Sequence, residues 1–204
     1  MTLFQRSLKR SLDLSASLAG ILALLIPGAV LAALVRLSSP GPVFFVQTRM
    51  GRHGRPFRCV KLRTMHVGAG AGGPITTATD SRVTPAGRFL RRHKLDEWPQ
   101  LCNVLLGHMS LVGPRPDVPG YADRLEGDAR RLLELRPGIM GPATLHFRDE
   151  EALLAAAADP QGYNDTVLWP KKVQLNLAYL DHWSLWTDIR LIVETLLPRS
   201  RTSP

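Results

Sequence analysis

The feature that most constrains this chain is a run of 22 residues, Leu14 to Val35, without a single charged side chain. As one helix it would extend about 33 Å at roughly 1.5 Å per residue, close to the thickness of a bilayer's hydrocarbon core. A soluble core helix of that length would ordinarily keep a polar face, and none is visible. A secretory leader has a shorter apolar region. Cys59 and Cys102 also outline no disulfide framework of the kind that accompanies export. A membrane segment fits the run as written.

Charge and proline bear on how the segment sits. Arg6, Lys9 and Arg10 precede it, and Arg36, Arg49, Arg52, Arg55, Arg58, Lys61 and Arg63 follow, with no acid between Asp13 and Asp80. Basic flanks prefer the cytoplasmic face. Both flanks are basic here, which suits a segment that enters and returns on one side. Pro27, followed by Gly28, removes a helix donor and clashes with the carbonyl of Ala23, so it predicts a kink. Two apolar arms at an angle make a re-entrant hairpin in one leaflet. An ordinary kinked span meets the same pattern, and these residues alone leave the two open.

The whole chain, at 204 residues, allows one domain with a modest core. A net charge of +9 calls for an anionic partner: nucleic acid, anionic lipid or a phosphorylated small molecule. No nucleic-acid reading motif is present, and nucleic-acid binding would leave the apolar run unexplained. Ser38 to Pro42 (SSPGP) is a turn cluster ending the membrane segment. Val43–Val46 and Phe57–Leu62 read as strands of a hairpin around a Gly51–Gly54 turn. Val67–Pro74 (VGAGAGGP) reads as a flexible linker, since it lacks the Lys-Ser/Thr ending of a nucleotide-binding loop. Arg82–Lys94 is predicted helical, and Asp96 is positioned to cap the next helix, which stops at Gly107. After the rigid turn Gly113–Pro116 (GPRP), a polar helix is predicted over roughly Val118–Leu135, ended by Arg136-Pro137-Gly138. Two further helices are predicted over Pro170–Leu180 and Ser184–Leu197. The last combines Trp183 and Trp186 with Arg190 and Arg199, which suits a membrane interface or ordinary core packing equally.

The chemistry centres on Asp96 and Glu97. A helix N-terminus favours the anionic form of Asp96, and its free N–H groups suit a phosphate. Adjacent helical residues do not share a face, so the two acids are expected to have different roles. An Asp-Glu pair alone reads as a cap beside a solvated acid. Its setting argues otherwise. Arg88, Arg91, Arg92 and Lys94 lie upstream, with Arg115, Arg136 and Arg148 downstream. Arginine binds phosphate with two parallel donors, and the prolines around Arg115 and after Arg136 fix the backbone that aims them. No histidine spacing suggests a metal cage, and the two cysteines read as inert core residues.

Several segments together resemble the small monotopic phosphoglycosyl transferases, the bacterial sugar transferase family. They are SSPGPVFFVQTRMGRHGRPF (38–57), VKLRTM (60–65), LRRHKLDEWPQLCNVLLGHMSLVGPRP (90–116), RPGIMG (136–141) and WSLWTDIRLIVET (183–195). The resemblance implies an α+β, mostly helical fold with a re-entrant membrane helix kinked at Pro27, a short β-hairpin and a compact cytosolic helical domain. Residues 1–37 would form the membrane part and residues 38–204 the catalytic domain with interface-lying helices. The implied location is the bacterial inner (cytoplasmic) membrane, with the domain on the cytosolic face.

The implied reaction moves a sugar 1-phosphate from a UDP-sugar to a polyprenyl phosphate such as undecaprenyl phosphate, releasing UMP. This opens glycoconjugate assembly. It would run by a ping-pong route in which Asp96 becomes phosphosugar-linked. Glu97 would serve a required Mg2+ or a proton, with Asp96 and Glu97 as the metal ligands. Lys61, Arg115, Arg136 and Arg148 would bind phosphate or nucleotide. Membrane lipid is an implied partner, nucleic acid is not, and a homodimer is allowed. The alternative is a membrane-anchored scaffold that binds nucleotide sugars without chemistry. The chain departs from the family pattern at Ile26, at His108, over Met140–Leu145 and at Asn176.

Overall fold

A computed structural model describes residues 1–69 and 80–197. The predicted glycine-rich linker lies outside the described residues from position 70 onward, as does Arg199. The chain is mostly helical, with two small sheets.

Helix α1 (Leu3–Ala23) starts at a capping box in which Thr2 and Gln5 exchange side-chain and backbone hydrogen bonds. It breaks at Leu24, and α2 (Leu25–Ser38) departs at 63°. The break falls where Pro27 leaves the carbonyl of Ala23 without its donor, whereas Gly28 N–H still reaches the Leu24 carbonyl at 2.7 Å. No single described helix is long and apolar enough to cross a membrane, but the bent pair passes that test together. Leu18, Leu22, Leu25, Ile26, Val30 and Leu37 form an exposed apolar surface over both arms. Apolar surface on that scale marks a lipid or protein contact.

The inner face of α1 is polar and spent on the rest of the chain. Lys9 Nζ donates to Asp188 Oδ2 at 2.6 Å, and Tyr179 and Trp183 donate to the same carboxylate. Arg10 donates to the carbonyls of Val104 and Leu105 at 2.7 and 2.9 Å. Asp13 accepts from Ser110 Oγ and Leu111 N–H. Two of the three cations that precede the apolar run are therefore internal ties. The third, Arg6, lies 3.6 Å from Glu134.

The hairpin is longer than expected: β1 (Phe44–Met50) pairs antiparallel with β2 (Pro56–Leu62), in register Phe45↔Lys61 and Arg49↔Phe57. Helix α3 (Pro85–Arg92) is capped by Thr84. Val35 from α2, Leu62 from β2 and Leu90 from α3 form one apolar cluster. A 3-10 turn, Leu95–Glu97, leads into α4 (Gln100–Leu105). Strand β3 (Ser110–Val112) pairs in parallel with β4 (Gly138–Met140). Short helices α5 (Pro142–His146), α6 (Glu150–Ala156) and α7 (Pro160–Tyr163) precede α8 (Trp169–Asp181) and α9 (Leu185–Leu196). The main core joins Phe57, Cys59, Val104, Met109, Leu111, Leu135, Tyr179 and Leu191.

Three expectations are corrected. Asp96 caps no helix: it lies inside the 3-10 turn, which Lys94 enters with φ 56, and Pro99 occupies the N-cap of α4. The expected helix over Val118–Leu135 is two separate 3-10 segments, Ala122–Arg124 and Gly127–Glu134. Gly120 (φ 104) and Gly127 (φ 55) adopt left-handed backbone there, which a continuous helix excludes. Cys59 is a core residue as read, but Cys102 is exposed.

Candidate active site

The hairpin, the 3-10 turn and the loop after β3 converge on Glu97. Lys61 projects from β2 and places Nζ 3.2 Å from Glu97 Oε1. Arg115 brings its two terminal nitrogens to 2.5 Å from Oε1 and 3.4 Å from Oε2, a two-pronged grip. The Arg115 loop is itself tied to β1. Arg49 donates to the Pro116 carbonyl at 3.0 Å, and Met50 N–H donates to the Asp117 carbonyl at 2.8 Å.

Asp96 has a different environment. It is buried, with 8% of its surface exposed, yet no described residue donates a hydrogen bond to its carboxylate or pairs with it within 4.0 Å. Burial raises its pKa, the Glu97 charge raises it further, and Lys61, Arg91 and Arg115 oppose the shift. This reverses the expectation that a helix terminus stabilises the anion. Burial also acts against the Glu97 anion, but Arg115 and Lys61 outweigh it and hold that carboxyl far below the usual range. Arg115 is correspondingly raised, chiefly by Glu97. Two neighbouring acids thus occupy opposite states: one clamped and fully ionised, the other desolvated and without a partner.

Both border a cavity of about 280 Å3. That is near the lower end of small-molecule sites, which run from about 300 to 1,000 Å3. Arg91 is aimed there by a bond from its Nε to Thr64 Oγ1 at 2.9 Å. Arg148 lines the cavity too and donates to the Glu194 carbonyl at the end of α9. Lys61 and Arg115 are therefore brought to Glu97, and Arg148 to the same cavity. Arg136 is not. It follows the Leu135 core residue, its Nε donates to the Gly107 carbonyl at 2.8 Å, and it lines a separate cavity beside α1. The structure sets it apart from the other three. The backbones of the two arginines run close together, since Gly138 N–H donates to the Pro114 carbonyl at 2.7 Å, but Arg115 turns its side chain to Glu97 and Arg136 turns its own to Gly107.

Several lining residues were not anticipated. Arg49 and Lys172 add cations, and Asp117 and Glu150 add carboxylates. Asp117 is pushed up to about 6 by burial, against Lys172, Arg49 and Arg115. Tyr121 and Trp169 meet edge to face, ring centroids 5.2 Å apart, at the same wall. Asn176 Oδ1 and Thr144 Oγ1 are buried there without a hydrogen-bond partner among the described residues. Asp117 directly follows the GPRP turn, a signal that sequence reading could have used. Lys172 and Tyr121 carry none.

Among the described residues no group of three or more His, Cys, Asp or Glu side chains forms a metal cage. Magnesium seldom needs one, since it is usually held by one or two carboxylates together with substrate phosphates and water. The unpartnered oxygens of Asp96 are donors of the right kind, whereas those of Glu97 already accept from Lys61 and Arg115 and would be shared with them.

The model of the family described as bacterial sugar transferase matches residues 4–200. A UDP-glucose:undecaprenyl-phosphate glucose-1-phosphate transferase of Caulobacter vibrioides is 41% identical over 197 residues, covering 92% of this chain and 68% of that protein. A protein of the same description from Escherichia coli K12 is 40% identical over 203 residues, 94% of this chain and 40% of its own length. An uncharacterized sugar transferase of Bacillus subtilis, EpsL, is 35% identical over 189 residues, 93% of this chain and 85% of its own. The chain thus spans less than half of the Escherichia coli relative.

Proposed function

The chain belongs to the bacterial sugar transferase family, and from that premise we propose that it is a phosphoglycosyl transferase. It moves a sugar 1-phosphate from a UDP-sugar to undecaprenyl phosphate and so opens assembly of a bacterial glycoconjugate. The observation that carries the mechanism is the division of labour between Asp96 and Glu97.

The unpartnered Asp96 carboxylate is the nucleophile. One of its oxygens attacks the phosphorus that bears the sugar, and the bond from that phosphorus to the bridging oxygen breaks. UMP leaves with the electron pair. The phosphate of the polyprenyl acceptor then attacks the same phosphorus, the Asp96–phosphorus bond breaks, and the carboxylate is restored. Desolvation suits Asp96 to this role, because a carboxylate stripped of donors is not stabilised before it reacts. Glu97 is unsuited to carrying a proton near neutral pH, because its ionised form is so strongly favoured. It holds Arg115 and Lys61 where charge builds up on the diphosphate. Asp96, with Glu97 beside it, would hold a magnesium ion, which would supply charge neutralisation on the phosphate oxygens. Arg91 and Arg148 supply further donors from the facing walls.

The bent pair α1–α2 enters one leaflet and returns, which keeps the catalytic cavity at headgroup depth. Gly28 is the joint between the two: a Cβ there would sit 2.7 Å from Cζ2 of Trp98, the residue after Glu97. On this reading residues 1–37 form the membrane part and residues 38–204 the domain on the cytosolic face of the inner membrane.

A screen of UDP-sugars with undecaprenyl phosphate and magnesium tests the proposal. UMP release and a lipid-linked product are expected from wild type, and no transfer from Asp96→Asn folded to the wild-type melting temperature. Full activity in that variant would remove Asp96 from the nucleophile's role. UDP-sugar binding without UMP release from wild type would make the chain a nucleotide-sugar-binding scaffold.

A further inference from the structure

The cavity that holds Arg136 is a second basic site, of about 60 Å3, at the end of α4 away from the carboxylate pair. Arg6 and Arg10 come to it from α1, Arg52 from the hairpin turn and Arg136 from the RPG turn. Two of these guanidiniums are held by one nitrogen only. Arg52 Nε donates to the Glu134 carbonyl at 2.8 Å, and Arg136 Nε donates to the Gly107 carbonyl at 2.8 Å. In both, the terminal nitrogens have no acceptor among the described residues, so each presents an aimed, unfilled fork. The acids nearby are occupied: Asp13 by Ser110 and Leu111, Glu134 by Arg6. Lys9, also on the wall, is paired with Asp188.

The cations burden one another. Burial disfavours the Arg52 charge first, Arg136 and Arg6 disfavour it next, and Glu134 offsets them only in part. Burial and then Arg10 act in the same direction on Arg136, against Asp13. An anion between the forks would relieve that repulsion. Two planar forks match the oxygens of a phosphate better than a lone carboxylate. The first turns of α1, which supply Arg6, also carry Leu3 and Phe4, 83% and 76% exposed. Apolar side chains beside a basic cleft suit an anion whose tail lies in a bilayer.

We propose that Arg52 and Arg136 form a phosphate-binding cleft, distinct from the catalytic cavity, that takes the headgroup of an anionic membrane lipid. The inference rests on the membrane reading and is independent of the transfer reaction. The shared chemistry is a phosphate group, and a free phosphate is the other source the same forks would accept.

Full-length protein is floated with vesicles of pure phosphatidylcholine and with vesicles containing phosphatidylglycerol. Binding to the neutral vesicles reports the membrane reading alone. The gain on adding phosphatidylglycerol reports the cleft. Arg52→Gln/Arg136→Gln is expected to lose most of that gain, about fivefold per residue removed from the surface. Arg52→Lys/Arg136→Lys keeps the charge but not the forks, and is expected to recover only a small part. A separate arm follows the melting temperature in detergent with added inorganic phosphate. Stabilisation of wild type but not of the Gln pair, with no phosphatidylglycerol gain, would keep the phosphate site and assign it to a free anion. A Lys pair that binds like wild type would overturn the proposal, because diffuse charge would then suffice. Arg52→Gln alone, at the tip of the hairpin, repeats the comparison should the double variant melt early.

Discussion

The two ends of α4 hold cations in two different ways. Before its first turn, Lys61 and Arg115 are fixed by a carboxylate, Glu97. Past its last turn, Arg10 and Arg136 are fixed by backbone carbonyls of residues 104, 105 and 107. A carboxylate both orients and neutralises its partner. A carbonyl orients it and leaves the full charge. The first arrangement pins two cations on one acid and leaves its neighbour, Asp96, unpartnered. The second leaves a cleft with a surplus of positive charge. Counting arginines along the chain cannot separate the two, because the difference lies in what each guanidinium has for a neighbour.

The largest effect is expected at the neutralised end. Glu97→Gln removes a buried carboxylate and leaves the half-buried Arg115 and Lys61 without their anion, which should cost about 3 kcal/mol of stability. It should also lower kcat/KM by about a hundredfold, since the donors lose their fixed aim. Chemical denaturation and steady-state UMP release measure the two, and an unchanged kcat/KM would show that the clamp has no catalytic role. At the other end the same kind of change should cost less. Arg10→Met uncaps two carbonyls but strands no charge, so a loss of about 2 kcal/mol is expected from denaturant unfolding. A loss equal to that of Glu97→Gln would erase the distinction drawn between the ends.

Smaller effects test how the site is held. Gly28→Ala forces a methyl to within 2.7 Å of Trp98, with overpacking expected to cost about 1–2 kcal/mol. If the bent pair positions the 3-10 turn, kcat should fall with it, and an unchanged kcat would uncouple the two. A pH slope tests the acid beside Arg115. Asp117, pushed up to about 6, binds its proton more tightly folded than unfolded. Folding is therefore disfavoured progressively as pH rises from about 4 to about 6. The melting temperature of Asp117→Asn relative to wild type should climb across that window and level off above it. A constant difference would mean that the carboxyl titrates normally.

Much of the candidate cavity's lining could be picked out in the chain because its parts lie in compact motifs. Lys61, Asp96, Glu97 and Arg115 come from three segments whose turn residues and spacing are distinctive. Arg49 and Lys172 were not readable as site residues. One reaches the cavity through strand register and the other through the packing of α8, and neither leaves a local mark. Arg136 sits in a motif as clear as that of Arg115 and its backbone lies close by, yet its side chain turns to the Gly107 carbonyl rather than to Glu97. Strands β3 and β4 have three residues each, too short to show in a two-residue period which way their flanking side chains turn. The 3-10 segments around Gly120 and Gly127 were misread for a similar reason. The stretch reads as a polar helix, and the left-handed backbone of Gly120 and Gly127 breaks it.

The central claim, that Asp96 rather than Glu97 carries the phosphosugar, is tested most directly without acceptor lipid. Purified enzyme is given a UDP-sugar and magnesium alone, quenched, digested and analysed by mass spectrometry. The account predicts UMP release close to one equivalent per enzyme and a phosphosugar adduct on the peptide carrying Asp96, absent from Asp96→Asn. No UMP until undecaprenyl phosphate is added, or an adduct mapped to Glu97, would contradict it.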